Sequence, residues 1–519
     1  MPNPTCVELN ASVPESDLIR NPKTGPSQDW PDDDEALLEF RQEGSREAQY
    51  FSVKDAFEGV QVFGATGSGK SSGSGRALAL SFLESNFGGL VLIAKTDERL
   101  AWEEMAAKTG RSDDLVIFGP DGRHRFNFLR YELAREGRGA GHTENLVNLF
   151  CTVLEASDRR GGGGANEGYW QRALKQLLRN AIDLLVIAVG DVDLPSLCRI
   201  ITSAPNSPQQ VEDPDWRRGS VCFALIEEAE RKAEALDRQE DFELTRDYWL
   251  KEFANLATET RTPIVSMFTS MADCFLRGLL RKLFCSDLNL RPDDCFEGKI
   301  ILVDLPVKEF HELGLFAQVL FKYVWQRAVE RRIPPGLGRD LAQRTIRPVF
   351  LYADESQFFV NQYDALFQST ARSSRACTVY LTQNLPGYQT RFGGADGKAA
   401  SETFLGNLQT KIFHANGDPQ TNNWAADSIG RTRQFQIYSG LSEAPGMPRG
   451  NSTNAGGSMV FEYLVQPQEF TTLRTGGPDH RFKVDAVIFQ GGRSWTCIEK
   501  DKPVARNFLR HSFSQLDES

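Results

Sequence analysis

The chain contains Gly64-Ala65-Thr66-Gly67-Ser68-Gly69-Lys70-Ser71, which fits the pattern G-x-x-x-x-G-K-[ST] and has the neighbours that pattern needs. Val60-Gln61-Val62-Phe63 reads as a short strand before it, and Ala77 to Leu83 reads as a helix after it. A strand that turns through glycines into a helix can close its backbone N–H groups around a phosphate, with the partial positive charge of the helix N-terminus behind them. Lys70 is then expected to reach the β- and γ-phosphates, and the Ser71 hydroxyl to ligate Mg²⁺. Gly64, Ala65, Thr66, Gly67, Ser68, Gly69, Lys70, Ser71 and the following Ser72 are the expected nucleotide contacts. A glycine-rich turn with no ligand would need no Lys-Ser pair at these two places.

A second stretch, Pro348-Val349-Phe350-Leu351-Tyr352-Ala353-Asp354-Glu355, is an apolar strand that ends in two adjacent carboxylates. In a parallel sheet, ligands sit at the C-terminal ends of the strands. Asp354 is expected to organise the Mg²⁺ shell and Glu355 to act as the base that polarises a water for in-line attack on the γ-phosphate. Alone, such a strand end reads as a solvated terminus. Behind a phosphate loop in the same chain it points to the hydrolysing, motor-type branch of nucleotide-binding folds, in which at least one other strand separates the two site strands.

Composition bounds the chain more loosely. At 519 residues, 40% hydrophobic and 25% charged, it is ordinary globular material with room for two to four domains. Nine cysteines without a C-x-x-C spacing imply neither a disulfide framework nor a zinc site. The polar N-terminus offers no signal peptide. The most apolar window, residues 181–189, is too short for a membrane span and carries Asp183. A cytoplasmic protein without an intrinsic membrane span is expected, with docking at the inner membrane through partners as the alternative. The net charge of −11 argues against a protein coated in nucleic acid, while leaving room for DNA held in a narrow, locally basic channel.

Along the chain, the Pro-, Asp- and Ser-rich residues 1–45 read as a flexible arm, with Asp32 to Glu35 as a solvated turn. Strand signals at 60–63, 89–94 and 115–118 alternate with helical material, which predicts a parallel sheet. From 142 to 283 the strands cease and apolar residues recur at helical spacing, as in Leu146, Leu149, Phe150, Val153 and Leu154, then Trp170, Leu174, Leu177, Leu178, Ile182 and Leu185. Thr262-Pro263 reads as a helix start, and the charged segment 224–250 as one surface helix. Strands return at 299–305, 349–352, 378–381, 411–414 and 485–489. The expected architecture is an α/β sheet domain over 46–141 and 284–498, interrupted by an all-α insertion over 142–283 and followed by a tail over 499–519. Gly161 to Gly164 and the polar stretch Ser439 to Ser458 are candidate functional loops.

In this order the motifs resemble those of the TraG/TraD-type coupling ATPases of conjugation and type IV secretion, whose RecA-like P-loop motor is related to the HerA and FtsK DNA translocases. The resemblance covers residues 55 to 490. Beyond the phosphate loop, Leu92-Ile93-Ala94-Lys95-Thr96-Asp97-Glu98 is similar to the family's D-P-K-G-E strand end, departing at Ala94 and Thr96. Phe126-Asn127-Phe128-Leu129 is similar to its F-N-P-L step except for the proline. The helical insertion, Leu302 to Pro306 and Asp354-Glu355 follow in family order. The stretch from Ala371 to Asn384 is similar to the family's A-R … Q-S segment. It implies that Gln383 senses the γ-phosphate and that Arg372 is an arginine finger reaching a neighbouring subunit, with Arg375 as runner-up. The resemblance further implies ATP and Mg²⁺ as cofactors, a ring-shaped homo-oligomer, a hexamer in the family, and DNA as the translocated partner, with a relaxase or type IV secretion components as protein partners. Membrane-anchored members carry transmembrane helices at the N-terminus, where this chain shows none. A recruitment platform for a relaxase, and a HerA-like ATPase serving a nuclease or defence effector, are the alternative expectations.

Overall fold

The computed structural model describes residues 29–516 apart from 44, 46, 136–141, 158–166, 335, 394–396, 443–451 and 500–501. A small hairpin, β1 (Ala36–Arg41) and β2 (Ala48–Ser52), leads into β3 (Val60–Phe63), β4 (Gly88–Leu92) and β5 (Leu115–Phe118), with helices Arg76–Glu84 and Asp97–Lys108 between them. After a long helical stretch come β6 (Ile300–Val303), β7 (Val349–Ala353), β8 (Ala376–Thr382) and β9 (Thr410–Phe413). A two-stranded ribbon follows, β10 (Arg431–Ser442) and β11 (Ser452–Tyr463). The chain finishes with β12 (Lys483–Gln490), β13 (Trp495–Glu499), β14 (Lys502–Arg506) and β15 (Phe508–Ser514).

Nine of these strands form one sheet in the order β15-β12-β9-β3-β8-β7-β4-β6-β5. From β9 to β5 all neighbours are parallel, whereas β12 and β15 close one edge antiparallel. The inner strands are buried along their whole length, which is why they read as continuous runs such as Ile300-Ile301-Leu302-Val303 instead of alternating patterns. β8 lies between β3 and β7, so the strands that carry the phosphate loop and the acidic pair are next-but-one neighbours. This is an α/β P-loop sheet of RecA-like type.

Between β5 and β6 the described chain is helical. Helices Thr143–Ser157, Glu167–Val189, Leu194–Ser203, Val221–Ala233 and Thr258–Leu276 are the longer ones packed around a shared interior. Leu146, Leu149 and Phe150 are buried, as are Leu174, Leu177, Leu178, Ile182 and Leu185, on the helical spacing seen in the sequence. That interior is continuous with the sheet's own core through Phe118, Phe126, Phe284 and Phe321, whose rings contact one another.

Several sequence expectations are corrected. The helix expected to start at Thr262-Pro263 begins at Thr258, with Pro263 inside it. The missing proline donor is tolerated because Arg261 anchors the preceding turn, donating to the carbonyls of Asn206 (2.6 Å) and Leu256 (3.3 Å). The charged segment 224–250 is two helices, Val221–Ala233 and Gln239–Asp247, separated by Asp237 at φ 55°; each buries one face, through Ile226 and Ala229 and through Phe242. The C-terminal segment is no tail. β15 pairs with β12 over its length and buries Leu509 and Phe513. The acidic turn near residue 33 is docked, since Asp33 pairs at 2.7 Å with the buried Arg375, and Trp30 lies under Arg347. Residues 1–28 of the expected arm, Gly161 to Gly164 and 443–451 of the expected Ser439–Ser458 loop lie outside the described residues, and the remainder of that loop belongs to the paired strands β10 and β11. Among the described residues no helix is long and apolar enough to cross a membrane.

Candidate nucleotide site

The phosphate loop leaves β3 at Phe63 and is tied to the two flanking strands: Gly64 N–H donates to Thr382 O (3.2 Å) and Ala65 N–H to Ala415 O (2.9 Å). Gly67 and Gly69 sit at φ 75° and 82°, a region that glycine enters freely and other residues rarely adopt. At Gly69 a side chain is excluded twice over, because a Cβ would stand 2.6 Å from a Val484 methyl. Ser71–Gly75 is a π-helical turn, with Gly75 N–H bonded to Lys70 O (2.9 Å), and it runs directly into helix Arg76–Glu84. Ser68 Oγ is buried within the loop and has no hydrogen-bond partner. A buried hydroxyl without a partner, in a cradle that admits no side chain at Gly69, fits a loop whose remaining acceptor is a phosphate.

β7 delivers the acidic pair opposite this loop. Ser71 Oγ hydrogen-bonds Asp354 Oδ2, and Asp354 Oδ1 accepts Glu355 N–H at 2.8 Å. Burial raises the Asp354 carboxyl above its ordinary range, against the pull of Lys70 and the Ser71 hydroxyl. Among the described residues no group of three or more His, Cys, Asp or Glu side chains is gathered for a metal. A cation held by Ser71 and Asp354 would therefore complete its shell with phosphate oxygens and water, the usual habit of Mg²⁺.

Glu355 adopts the left-handed conformation, φ 49°, a strained choice for a residue with a side chain. Its carboxylate is the meeting point of the site. Gln357 Nε2 donates to it at 2.7 Å, Gln383 Nε2 at 3.1 and 3.2 Å, Lys70 Nζ lies 3.4 Å away, and Lys95 Nζ 3.9 Å. Burial pushes the Glu355 carboxyl up, but Lys70, the two glutamine donors and Lys95 outweigh it and hold it below the usual carboxylate range. A charged carboxylate with directed donors is equipped to take a proton from a water held beside it.

Gln383 stands with the acids because it follows β8, the strand next to β7. Arg372 precedes that same strand, so the length of β8, roughly 23 Å, separates it from the site. It is half exposed and pairs with Glu58 at 2.9 Å. Arg375, the runner-up, is buried at φ 53°, paired with Asp33, bonded to Ile346 O at 2.9 Å and stacked on Phe57. These contacts fix it inside its own subunit and remove it as a finger in this conformation.

Three further residues stand at the site with no role assigned to them from the sequence. Lys95 and Glu98 stand in the strand-end motif after β4, on the side of β7 away from Lys70. Glu98 accepts Ala94 N–H at 3.0 Å through Oε2, and its Oε1 is buried without a partner. Burial and the nearby Asp354 charge push its carboxyl up to about 8. His414, at the end of β9, bonds Ser74 Oγ (2.7 Å) and Asp485 O (2.8 Å). Burial lowers the imidazole to about 4, so it is neutral, with Nδ1 donating to the carbonyl and Nε2 accepting from the serine. It ties the start of the phosphate-loop helix to β9 and β12.

With this geometry in hand, comparisons with known proteins supply the relatives. Residues 348–475, about a quarter of the chain and including β7 to β11, match a family described as the TraM recognition site of TraD and TraG. The whole fold is similar to the bacterial conjugative coupling protein TrwB. Its unbound monoclinic form aligns at 16% identity and TM-score 0.56, covering 92% of this chain and 89% of TrwB. The complex of TrwB with the non-hydrolysable GTP analogue GDPNP aligns at 16% and 0.55, covering 95% and 98%. Its complex with ADP and Mg²⁺ aligns at 17% and 0.54, covering 93% and 94%. A sequence comparison with curated proteins finds no match. The resemblance to the TraG/TraD-type coupling ATPases that the motif order carries is borne out, and the fold is theirs.

Proposed function

We propose that the protein is a Mg²⁺-dependent ATPase of the coupling-protein type that assembles as a ring, a hexamer by family resemblance, and moves DNA. The observation that carries this reading is the convergence of Lys70, Gln357, Gln383 and Lys95 on the Glu355 carboxylate, beside a phosphate loop whose Ser71 already bonds Asp354. TrwB has been captured with ADP and Mg²⁺ and with ATP and GTP analogues, which supports a nucleoside triphosphate and Mg²⁺ here.

In this reading Gly64 to Ser72 bind the phosphates, and Ser71 and Asp354 hold the cation. Mg²⁺, when bound, would offset the negative charge of the phosphates. Lys70 moves from Glu355 to the phosphate as nucleotide enters. Glu355, released from that cation but still held by Gln357, Gln383 and Lys95, orients the attacking water and takes its proton. Gln383 bridges the base and the γ-phosphate position, so its hydrogen bonds report whether the phosphate is present. Arg372 is too distant to serve its own site, and its exposure suits a finger offered to the next subunit, where it would stabilise the transferring phosphoryl group and make hydrolysis depend on assembly.

The test is ATP hydrolysis measured with and without DNA over a range of salt. A motor is expected to show DNA-stimulated turnover whose stimulation falls steeply with salt. ATP and DNA binding without stimulation would refute it and favour the recruitment platform, to which the description of the matched family as a TraM recognition site lends support. A relaxase or secretion component is then the partner to seek.

A further inference from the structure

The ribbon β10–β11 leaves the body after helix Pro419–Ile429 and pairs in plain antiparallel register from Arg431↔Tyr463 to Ser442↔Ser452. Directly opposed residues share a face. One face therefore carries the pairs Arg431–Tyr463, Arg433–Phe461, Phe435–Met459 and Ile437–Gly457, and the other carries Thr432–Glu462, Gln434–Val460 and Gln436–Ser458. The first face is aromatic, apolar and cationic, and it is uncovered: Phe435 is 62% exposed, Ile437 76%, Met459 60% and Phe461 64%.

An isolated two-stranded ribbon gains little by showing such side chains to water, so this face is built for something that covers it. Its details favour nucleic acid over protein. The Arg433 guanidinium sits 5.3 Å from the Phe461 ring centre, and among the described residues it makes no ion pair. Arg431 lies 4.2 Å over Tyr463, and its pairing with Asp427 at 3.2 Å confines the carboxylate on this face to the ribbon's root. The Phe435 ring lies over the backbone of Gly457, where a Cβ would come within 2.2 Å of it. Glycine there seats the ring flat against the ribbon. Phe435 and Phe461 are diagonal neighbours across the two strands, a spacing of roughly 7–8 Å and about twice the 3.4 Å rise of stacked DNA, so bases meeting both rings must be unstacked from one another. Rings for bases beside a guanidinium for phosphate, on a chain of net charge −11, make a local exception to the protein's electrostatics.

We infer that the exposed face of the β10–β11 ribbon binds single-stranded DNA, with Phe435 and Phe461 stacking on unpaired bases and Arg433 contacting the backbone. The inference rests on the DNA-motor reading and names the contact that reading lacks. None of these residues contacts the phosphate loop or the acidic pair, so it can be tested apart from hydrolysis.

The experiment compares the full chain with the double variant Phe435→Ser/Phe461→Ser, with Arg433→Gln, and with Leu366→Ser as an exposed apolar control outside the ribbon. Fluorescence anisotropy against an oligo-dT strand and against a duplex of equal length gives affinities, circular dichroism checks folding, and DNA-free hydrolysis checks the nucleotide site. The double variant is expected to lose oligo-dT affinity at least ten-fold, with DNA-free turnover and duplex affinity unchanged; Arg433→Gln is expected to flatten the salt dependence. Phe435→Trp is expected to show fluorescence quenched by oligo-dT and not by duplex. Unchanged oligo-dT affinity in the double variant overturns the inference, as does equal loss for single strand and duplex, or a changed sedimentation coefficient with unchanged DNA affinity, which would mark a protein interface. If the wild type keeps DNA-stimulated hydrolysis that the double variant shares fully, the ribbon inference falls and the motor stands. If the ribbon binds oligo-dT and hydrolysis ignores it, the motor falls and the ribbon site stands.

Discussion

Glu355→Gln separates binding from turnover more sharply than any other change at this site. Lys70 Nζ lies 3.4 Å from the Glu355 carboxylate, with both side chains buried. At an effective dielectric of about 20 the gross attraction between two such charges is on the order of 5 kcal/mol. Entering phosphate must draw Lys70 away from that partner and return most of this energy. Glutamine keeps the shape and removes the competition. If only about 1 kcal/mol of the difference survives, ATP binds about five-fold more tightly to the variant. Turnover is expected to fall by roughly 10² to 10⁴, because the base is gone. The variant also leaves Lys70 buried without its partner charge, so the nucleotide-free protein melts earlier and ATP raises its melting temperature by more than it does in the wild type. Fluorescent-nucleotide titration, phosphate release and thermal melting with and without ATP read the three effects. Weaker ATP binding by the variant, or turnover within ten-fold of wild type, would refute the roles assigned to Glu355 and Lys70.

Gln383→Ala removes a donor to Glu355 without touching the phosphate loop; kcat is expected to drop roughly ten- to hundred-fold with nucleotide affinity unchanged, as checked by steady-state kinetics and titration. Arg372→Ala is expected to abolish stimulated turnover by the assembly while leaving ATP affinity intact, and doping Arg372→Ala protein into Lys70→Ala protein should recover activity from the mixed interfaces that carry one intact finger and one intact loop. His414 is held neutral in the fold, at about 4 against an ordinary value of 6.5. Because the unfolded chain takes up the proton first, stability is expected to fall by about 3 kcal/mol as pH drops from 6.5 to 4. Denaturant melts of the wild type and of His414→Gln across that range check the sign, and a variant with the same slope as the wild type would acquit His414.

The phosphate loop and the acidic strand end are legible in sequence because each is local: a few contiguous residues carry both the backbone geometry and the chemistry. Gln383 is legible only through its spacing within a family motif, and it reaches Glu355 because β8 and β7 are neighbours, a long-range fact. Lys95 and Glu98 are legible only as members of a strand-end motif that assigns them no role, and His414 has no local signature of function. Their significance comes from β4 and β9 lying beside the site strands, and from burial that turns an ordinary carboxyl and an imidazole into neutral groups. Arg375 errs in the other direction. It stands in an arginine-bearing motif, yet the docked residue Asp33 and the ring of Phe57 make it a structural cation. Pro263 and the 499–519 segment mislead because local propensity is weak against tertiary anchoring, by Arg261 in one case and by pairing with β12 in the other.

The antiparallel edge made by β12 and β15 has a consequence for how the protein comes into being. Val484 of β12 presses on Gly69 and Gly73, Phe513 of β15 backs the same turn, and Gln515 reaches Ser72 at 2.6 Å. The loop that grips phosphate is thus braced by residues over 400 positions further on. A ribosome must carry synthesis past residue 515 before this bracing can form, so a chain cut short ahead of β12 is expected to hold phosphate poorly.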